Sequence, residues 1–176
     1  MSKIVSIHQP YYFPWLGYFE KIIKSDIFVI LDDVNYEKNN FYNRNKIKSS
    51  NGWDWITVPV HNKNRMKITD ICIANSMNWQ EKHFRQIYYN YNKSEFYPNY
   101  NKMLEYIFKD NRWEKLIDLN MFIIKEIMKN LKIKTKLIFS SECNVTGSST
   151  KKLVNLCKYL DADIYYSGSS GHKYLD

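Results

Sequence analysis

The stretch from Ile4 to Asp33 constrains this chain more than any other. A short apolar run, Ile4-Val5-Ser6-Ile7, leads into His8-Gln9-Pro10-Tyr11-Tyr12-Phe13-Pro14-Trp15-Leu16. Four apolar-rich residues of this kind suit a buried strand. Pro10 and Pro14 forbid a helix across the segment that follows, because each lacks a backbone N–H and crowds the preceding turn. From Gly17 to Ser25 the residues Phe19, Ile22 and Ile23 recur at helical spacing. Ile27-Phe28-Val29-Ile30-Leu31 is then apolar without alternation and stops at Asp32-Asp33. A strand covered on both faces, as in a parallel sheet, has that composition. Strand, loop, helix and strand make one βαβ unit, for which a right-handed crossover is expected.

The middle of the chain is less regular. Phe41 to Lys48 and Gly52 to Val60 predict a strand pair turning at Ser50-Asn51-Gly52, and Thr69 to Ile73 a third strand. Helices are predicted over Trp79 to Tyr91, Tyr97 to Phe108 and Trp113 to Leu131. The last carries Leu116, Leu119, Ile123, Ile127 and Leu131 on one stripe. Lys136 to Phe139 returns as a strand, Thr150 to Leu160 as a helix, and Asp163 to Tyr166 as a closing strand. The expected fold is α/β: residues 1–176 as a single domain with a mainly parallel, Rossmann-like sheet and a helical C-terminal half.

Composition narrows the function classes. The 26 basic and 18 acidic residues leave a net charge of +8, which favours an anionic partner. The lysines are dispersed, with no block of five or six like charges, so nucleic acid is the less favoured partner. Cys72, Cys143 and Cys157 are odd in number and far apart, which argues against a zinc site or a disulfide framework. The chain opens Met-Ser-Lys, with no signal peptide and no apolar run near the length of a membrane span, so a cytoplasmic location is expected. Phosphate-loop, nucleophile-elbow and His-Glu-x-x-His motifs are missing, which disfavours common kinases, hydrolases and zinc peptidases.

In open parallel sheets, ligands bind beyond the carboxyl ends of the strands. Three polar groups fall at such ends: His8-Gln9, Asp32-Asp33, and Ser167-Gly168-Ser169-Ser170-Gly171-His172. Histidines move protons near neutral pH. A serine-glycine turn offers N–H groups and hydroxyls to phosphate or carboxylate, and paired aspartates hold a cation or a substrate amine. Each has a plainer reading: a core histidine, a turn-capping aspartate, a frayed terminus. His61 and His83 read as structural or surface residues.

The run Ile7-His8-Gln9-Pro10-Tyr11-Tyr12-Phe13-Pro14-Trp15-Leu16-Gly17-Tyr18-Phe19-Glu20-Lys21-Ile22 resembles the signature of the WbqC-like protein family. So do Leu31-Asp32-Asp33-Val34, Asn43-Arg44-Asn45-Lys46-Ile47-Lys48, Thr57-Val58-Pro59-Val60, Asp118-Leu119-Asn120, Ser140-Ser141-Glu142, and Tyr166-Ser167-Gly168 with Tyr174-Leu175-Asp176. The resemblance runs the whole chain in order, and implies a further C-terminal part beyond the Tyr-Leu-Asp motif. It implies a place in the biosynthesis of bacterial O-antigen and related surface polysaccharides: acyl or aminoacyl transfer onto a nucleotide-linked amino sugar, with ATP and magnesium as candidate cofactors. On that reading His8, Gln9, Asp32 and His172 are the catalytic candidates. Tyr11, Tyr12, Trp15 and Tyr18 wall the cleft. Lys21, Arg44, Asn45, Lys46, Ser167, Gly168, Ser169 and Ser170 bind substrate. The loop-and-turn layout is also similar, by weak analogy, to nucleotidyl-transferring enzymes, although Trp15-Leu16-Gly17-Tyr18 stands where those carry His-x-Gly-His. A non-catalytic nucleotide-sugar module and a nucleic-acid-binding protein are the alternatives.

Overall fold

The computed structural model describes residues 2–61, 65–168 and 171. Its contacts gather into two compact units, between which the chain passes repeatedly. One comprises residues 1–10, 14–34 and 127–176, the other residues 11–13 and 35–126.

The first unit is built on four parallel strands in the order β7-β2-β1-β8. They are β1 (Ile4–His8), β2 (Ile27–Ile30), β7 (Lys136–Phe139) and β8 (Ile164–Tyr165). The expected α/β class and parallel sheet are therefore present. In register, Val5 faces Ile27 and His8 faces Ile30 across β1–β2, and Val5 faces Tyr165 across β1–β8. The alternation of a pleated strand sorts the side chains. Val5, Ile7, Val29 and Leu31 join Leu156 of helix α5 (Ser149–Tyr159) and Cys143 in one buried cluster. Ser6, His8, Phe28 and Ile30 point to the other face. There Tyr18 of helix α1 (Leu16–Ile23) meets the Phe28 ring edge-on at 5.2 Å, and Ser25 Oγ lies 2.7 Å from Ser6 Oγ. Covering both faces is what makes β2 uniformly apolar. Each such core side chain contributes about 1.5–3 kcal/mol by burial.

Ends are fixed locally. Asp26 accepts the Ile4 backbone N–H at 2.8 Å and gives its own to the Ile4 carbonyl at 2.9 Å, clamping the starts of β1 and β2 together. Helix α1 begins one residue earlier than expected, at Leu16 just past Pro14 and Trp15, and stops at Ile23. The closing strand is only Ile164–Tyr165, its backbone carried on by the Tyr166 N–H to the Val5 carbonyl.

The second unit holds an antiparallel pair, β3 (Arg44–Ser49) and β4 (Gly52–Thr57), joined at Ser50-Asn51 as expected. Gly52 carries the turn at φ +108°, a conformation that only glycine adopts freely. Strands β5 (Val60–His61) and β6 (Cys72–Ile73) form a second short pair; of the strand expected over Thr69 to Ile73, Cys72–Ile73 is present, while Ile68–Asp70 is a 3₁₀ turn. Helix α2 (Trp79–Tyr91) has the predicted bounds. Helix α3 (Tyr97–Glu105) is shorter than predicted, passing into a π turn at Tyr106–Asp110. Helix α4 (Leu116–Asn130) buries Leu116, Leu119 and Ile123 completely, but Leu131, expected on the same stripe, lies beyond its end and is 47% exposed. No helix among the described residues is long and apolar enough to cross a membrane.

Candidate functional site at the carboxyl edge of the parallel sheet

The strand order separates the polar tips of the first unit into two clusters. On the β1–β8 side stands His8, half-buried, with its ring edge-on to Trp15 at 5.4 Å and to Tyr18 at 5.0 Å. Its Nδ1 lies 3.0 Å from the Gln9 carbonyl. A carbonyl only accepts, so Nδ1 carries the proton and Nε2 keeps its lone pair. Burial, followed by the Lys21 charge, brings the imidazole down to about 3, against a smaller upward pull from the Gln9 bond. At neutral pH His8 is uncharged.

Lys21, on α1, is 4% exposed. Its ammonium gives a hydrogen bond to the Ile7 carbonyl at 3.1 Å, and burial lowers it to about 8. An ammonium has three donors, and among the described residues one of them is taken, by the Ile7 carbonyl. Gly168 lies against the Lys21 stem: a Cβ placed there would stand 3.8 Å from Cδ. The Tyr166 carbonyl accepts from Ser6 Oγ at 2.8 Å, and the Gly171 N–H closes a turn on the Gly168 carbonyl at 2.8 Å. The tips of β1 and β8 thus bring His8, Lys21, Ser167 and Gly168 to one edge of the sheet. Ser169, Ser170 and His172 lie outside the described residues. Trp15 is 49% exposed and Tyr18 fully buried behind the imidazole. Gly17 makes room for this arrangement, since a Cβ there would meet the Trp15 indole nitrogen at 2.6 Å.

The second cluster, on the β2–β7 side, gathers the aspartates with the turn after β7. Asp32 is 3% exposed. It accepts the Ser141 N–H at 3.0 Å and Ser141 Oγ at 2.7 Å, and lies 2.9 Å from Ser140 Oγ, whose single proton goes to Asp33. Asp33 is paired with Lys152 at 2.5 Å, both side chains largely buried, and also receives Ser140 Oγ at 2.5 Å. Burial alone would raise the Asp33 carboxyl, but the Lys152 and Ser140 bonds outweigh it and hold the group below its usual range. Asp32, one of the catalytic candidates, ties the end of β2 to the turn after β7 through its oxygens. The same donor set does not fit magnesium, since Lys152 already neutralises Asp33 and serines occupy Asp32. No group of three or more histidine, cysteine or acidic residues among the described residues is placed to hold a metal ion. Ser140, Ser141 and Lys152 were not foreseen as members of this lock. One signal was legible: Lys152 sits in the first turn of a helix, where the dipole disfavours a cation that lacks an anionic partner.

The remaining candidates pack inside the second unit. Tyr12, expected on a cleft wall, is fully buried and its hydroxyl lies 3.0 Å from His83 Nδ1. His83 is 2% exposed, edge-on to Trp79 at 5.4 Å and to Phe108 at 6.1 Å, and burial lowers it to about 4. Tyr11 packs on Tyr42 at 5.4 Å. Asn45, expected at the substrate, instead gives its amide to the Tyr12 and Phe13 carbonyls at 3.2 and 2.5 Å. That bond holds Phe13 at φ +44°, in the left-handed region. Arg44 bonds Asn39 and lies 4.4 Å over the Trp55 ring, and Lys46 lies 3.5 Å over Trp53.

Comparison with known proteins agrees with the motifs. The profile of the WbqC-like protein family matches residues 9–176. The uncharacterized protein Rv1507c of Mycobacterium tuberculosis is 36% identical over 176 residues, a match covering 99% of this chain and 76% of that protein. No solved structure matches.

Proposed function

The chain belongs to the WbqC-like protein family, and we propose that it is an enzyme of bacterial cell-surface polysaccharide biosynthesis that joins an acyl or aminoacyl group to the amine of a nucleotide-linked amino sugar. The observation that supports this most is the pairing of a neutral imidazole with a buried ammonium at the carboxyl edge of the sheet, His8 beside Lys21. Such an edge is where α/β proteins bind ligands. The Lys21 ammonium, with the N–H groups of the Ser167-Gly168 turn, supplies the anion-binding half and takes a substrate phosphate or carboxylate. His8 supplies the proton-accepting half through Nε2.

In the proposed reaction the sugar amine attacks the acyl carbon, the N–C bond forms, and the bond to the leaving group breaks. The attacking nitrogen must lose a proton. An imidazole held near 3 is too weak a base for a free amine, and accepts the proton only after N–C bond formation has made that nitrogen acidic. The proton then passes to the departing group. Trp15, exposed beside His8, offers a ring face to the sugar.

The test is an incubation of purified protein with a nucleotide-linked amino sugar, glycine and ATP, followed by mass spectrometry for the amide. Product formation that falls about a hundredfold or more in His8→Ala is expected, on the scale of a lost general base. Binding of the nucleotide sugar that is unchanged in His8→Ala, with no product under any donor, would assign the edge to a non-catalytic binding module instead.

A further inference from the structure

The β3–β4 pair presents a face that the proposed reaction does not use. Alternation puts Arg44, Lys46 and Lys48 on one side of β3, and register sets Thr57, Trp55 and Trp53 opposite them. Lys46, Lys48, Trp53 and Phe41 are exposed, Trp53 by 52%. Trp53 and Trp55 stand 5.9 Å apart and nearly perpendicular, and Phe41 adds a third ring 5.9 Å from Trp55. The cations rest on these rings, Lys46 3.5 Å from the Trp53 centroid and Arg44 4.4 Å from that of Trp55. None of Arg44, Lys46 and Lys48 forms a salt bridge with a carboxylate among the described residues. The face therefore carries two adjacent rows, one cationic and one aromatic, each repeating every second residue at about 6.8 Å.

We propose that this face binds single-stranded nucleic acid, phosphates along the Arg44-Lys46-Lys48 row and bases against Trp53 and Trp55. Charge and ring are segregated side by side, as phosphate and base are in a single strand, and the two rows advance with a repeat of the same scale. An acidic sugar chain carries charge and ring face on the same residue, in one row. A small nucleotide binds best between concave walls; a polymer gains on an exposed strand pair by repetition. On binding, the lysines leave the rings for phosphate, giving up contacts that are individually weak at exposed sites. The lysines escape notice as a charge block in the sequence because strand alternation, rather than adjacency, collects them. The inference rests on the second unit alone and is independent of the proposed acyl transfer.

Fluorescence anisotropy of a labelled oligothymidylate of ~12 nucleotides, titrated with the full chain across a salt series, tests it. Binding is expected to weaken with salt at a logarithmic slope of about −2, from three phosphate contacts at about 0.7 each. Trp53→Ala should weaken binding about tenfold, one lost base–ring stack. Lys46→Gln should reduce the slope by about 0.7. Trp53 is half-exposed, so its variants should keep the parent circular dichroism, and Trp53→Phe should restore most of the affinity. No binding at low salt, or binding indifferent to Trp53→Ala, would overturn the assignment. So would a sulfated glycan that binds as tightly as the oligonucleotide and loses the same tenfold in Trp53→Ala.

Discussion

Replacing Lys152 by methionine isolates the lock at the β2–β7 edge. The ammonium lies 2.5 Å from Asp33, with side-chain exposures of 9% and 18%. Breaking a buried pair by removing one partner costs about 3–5 kcal/mol, because the other charge stays buried and uncompensated. Asp33 keeps its bond from Ser140 and some contact with solvent, so the low end applies: about 3 kcal/mol at pH 7. In a chain of this size that is a fall of about 6–12 °C in melting temperature. The loss should also depend on pH. In the parent, Asp33 is held below its ordinary value, so its contribution is full at neutral pH and is lost only as pH falls through its folded pKa, below the ordinary carboxylate range. Without Lys152, burial is opposed only by the Ser140 and backbone bonds, so the folded pKa rises from its value in the parent. The variant's deficit is then largest at neutral pH and shrinks on acidification, as Asp33 protonates. Urea unfolding of both proteins at pH 7 and about pH 3 measures this. A Lys152→Met protein as stable as the parent at pH 7, or one whose deficit is unchanged at about pH 3, would refute the reasoning.

Three further outcomes follow from the buried polar groups. Lys21→Met should raise stability by about 1–2 kcal/mol in urea, because it removes a buried cation that no carboxylate among the described residues neutralises, while abolishing nucleotide-sugar binding. Tyr12→Phe should cost about 1–2 kcal/mol, leaving the buried His83 Nδ1 without its hydroxyl partner. His8 and His83 are held to about 3 and 4, below the ordinary histidine value, so the unfolded chain binds protons before the folded one does. Stability should fall as pH drops from about 6.5 towards 4, by about 1.4 kcal/mol per pH unit for each histidine. A pH series of unfolding curves should show this slope roughly halved in His8→Gln.

Strand-level readings succeeded where one physical requirement dominated the residues. Ile27 to Ile30 is apolar because helices cover both sides of β2, and no other element explains such a run. The hairpin turn was legible because Gly52 must take a positive φ. The three polar tips were found at strand ends because parallel topology allows few alternatives. Their partition was hidden, since β7, which lies next to β2, is contributed by residues 136–139. That neighbour, through Ser140 and Ser141, is what turns Asp32 from an open carboxylate into a lock. The tyrosines misled for a different reason. Tyr12 and Trp15 are three residues apart in one proline-framed loop, yet Tyr12 is fully buried while Trp15 is half-exposed. Irregular backbone has no period from which to read an inward or outward direction.

The strand order β7-β2-β1-β8 also sets a timetable for synthesis. The central pair is complete once Ile30 has emerged, but its flanks begin only at Lys136 and Ile164, after the whole second unit has been translated. At about 5–20 residues per second, two bare rows of backbone donors and acceptors wait for on the order of ten seconds. Unpaired strand edges are templates for pairing with other chains. The nascent polypeptide, more than the finished protein, is therefore the species at risk of clumping, and slower translation lengthens that exposure.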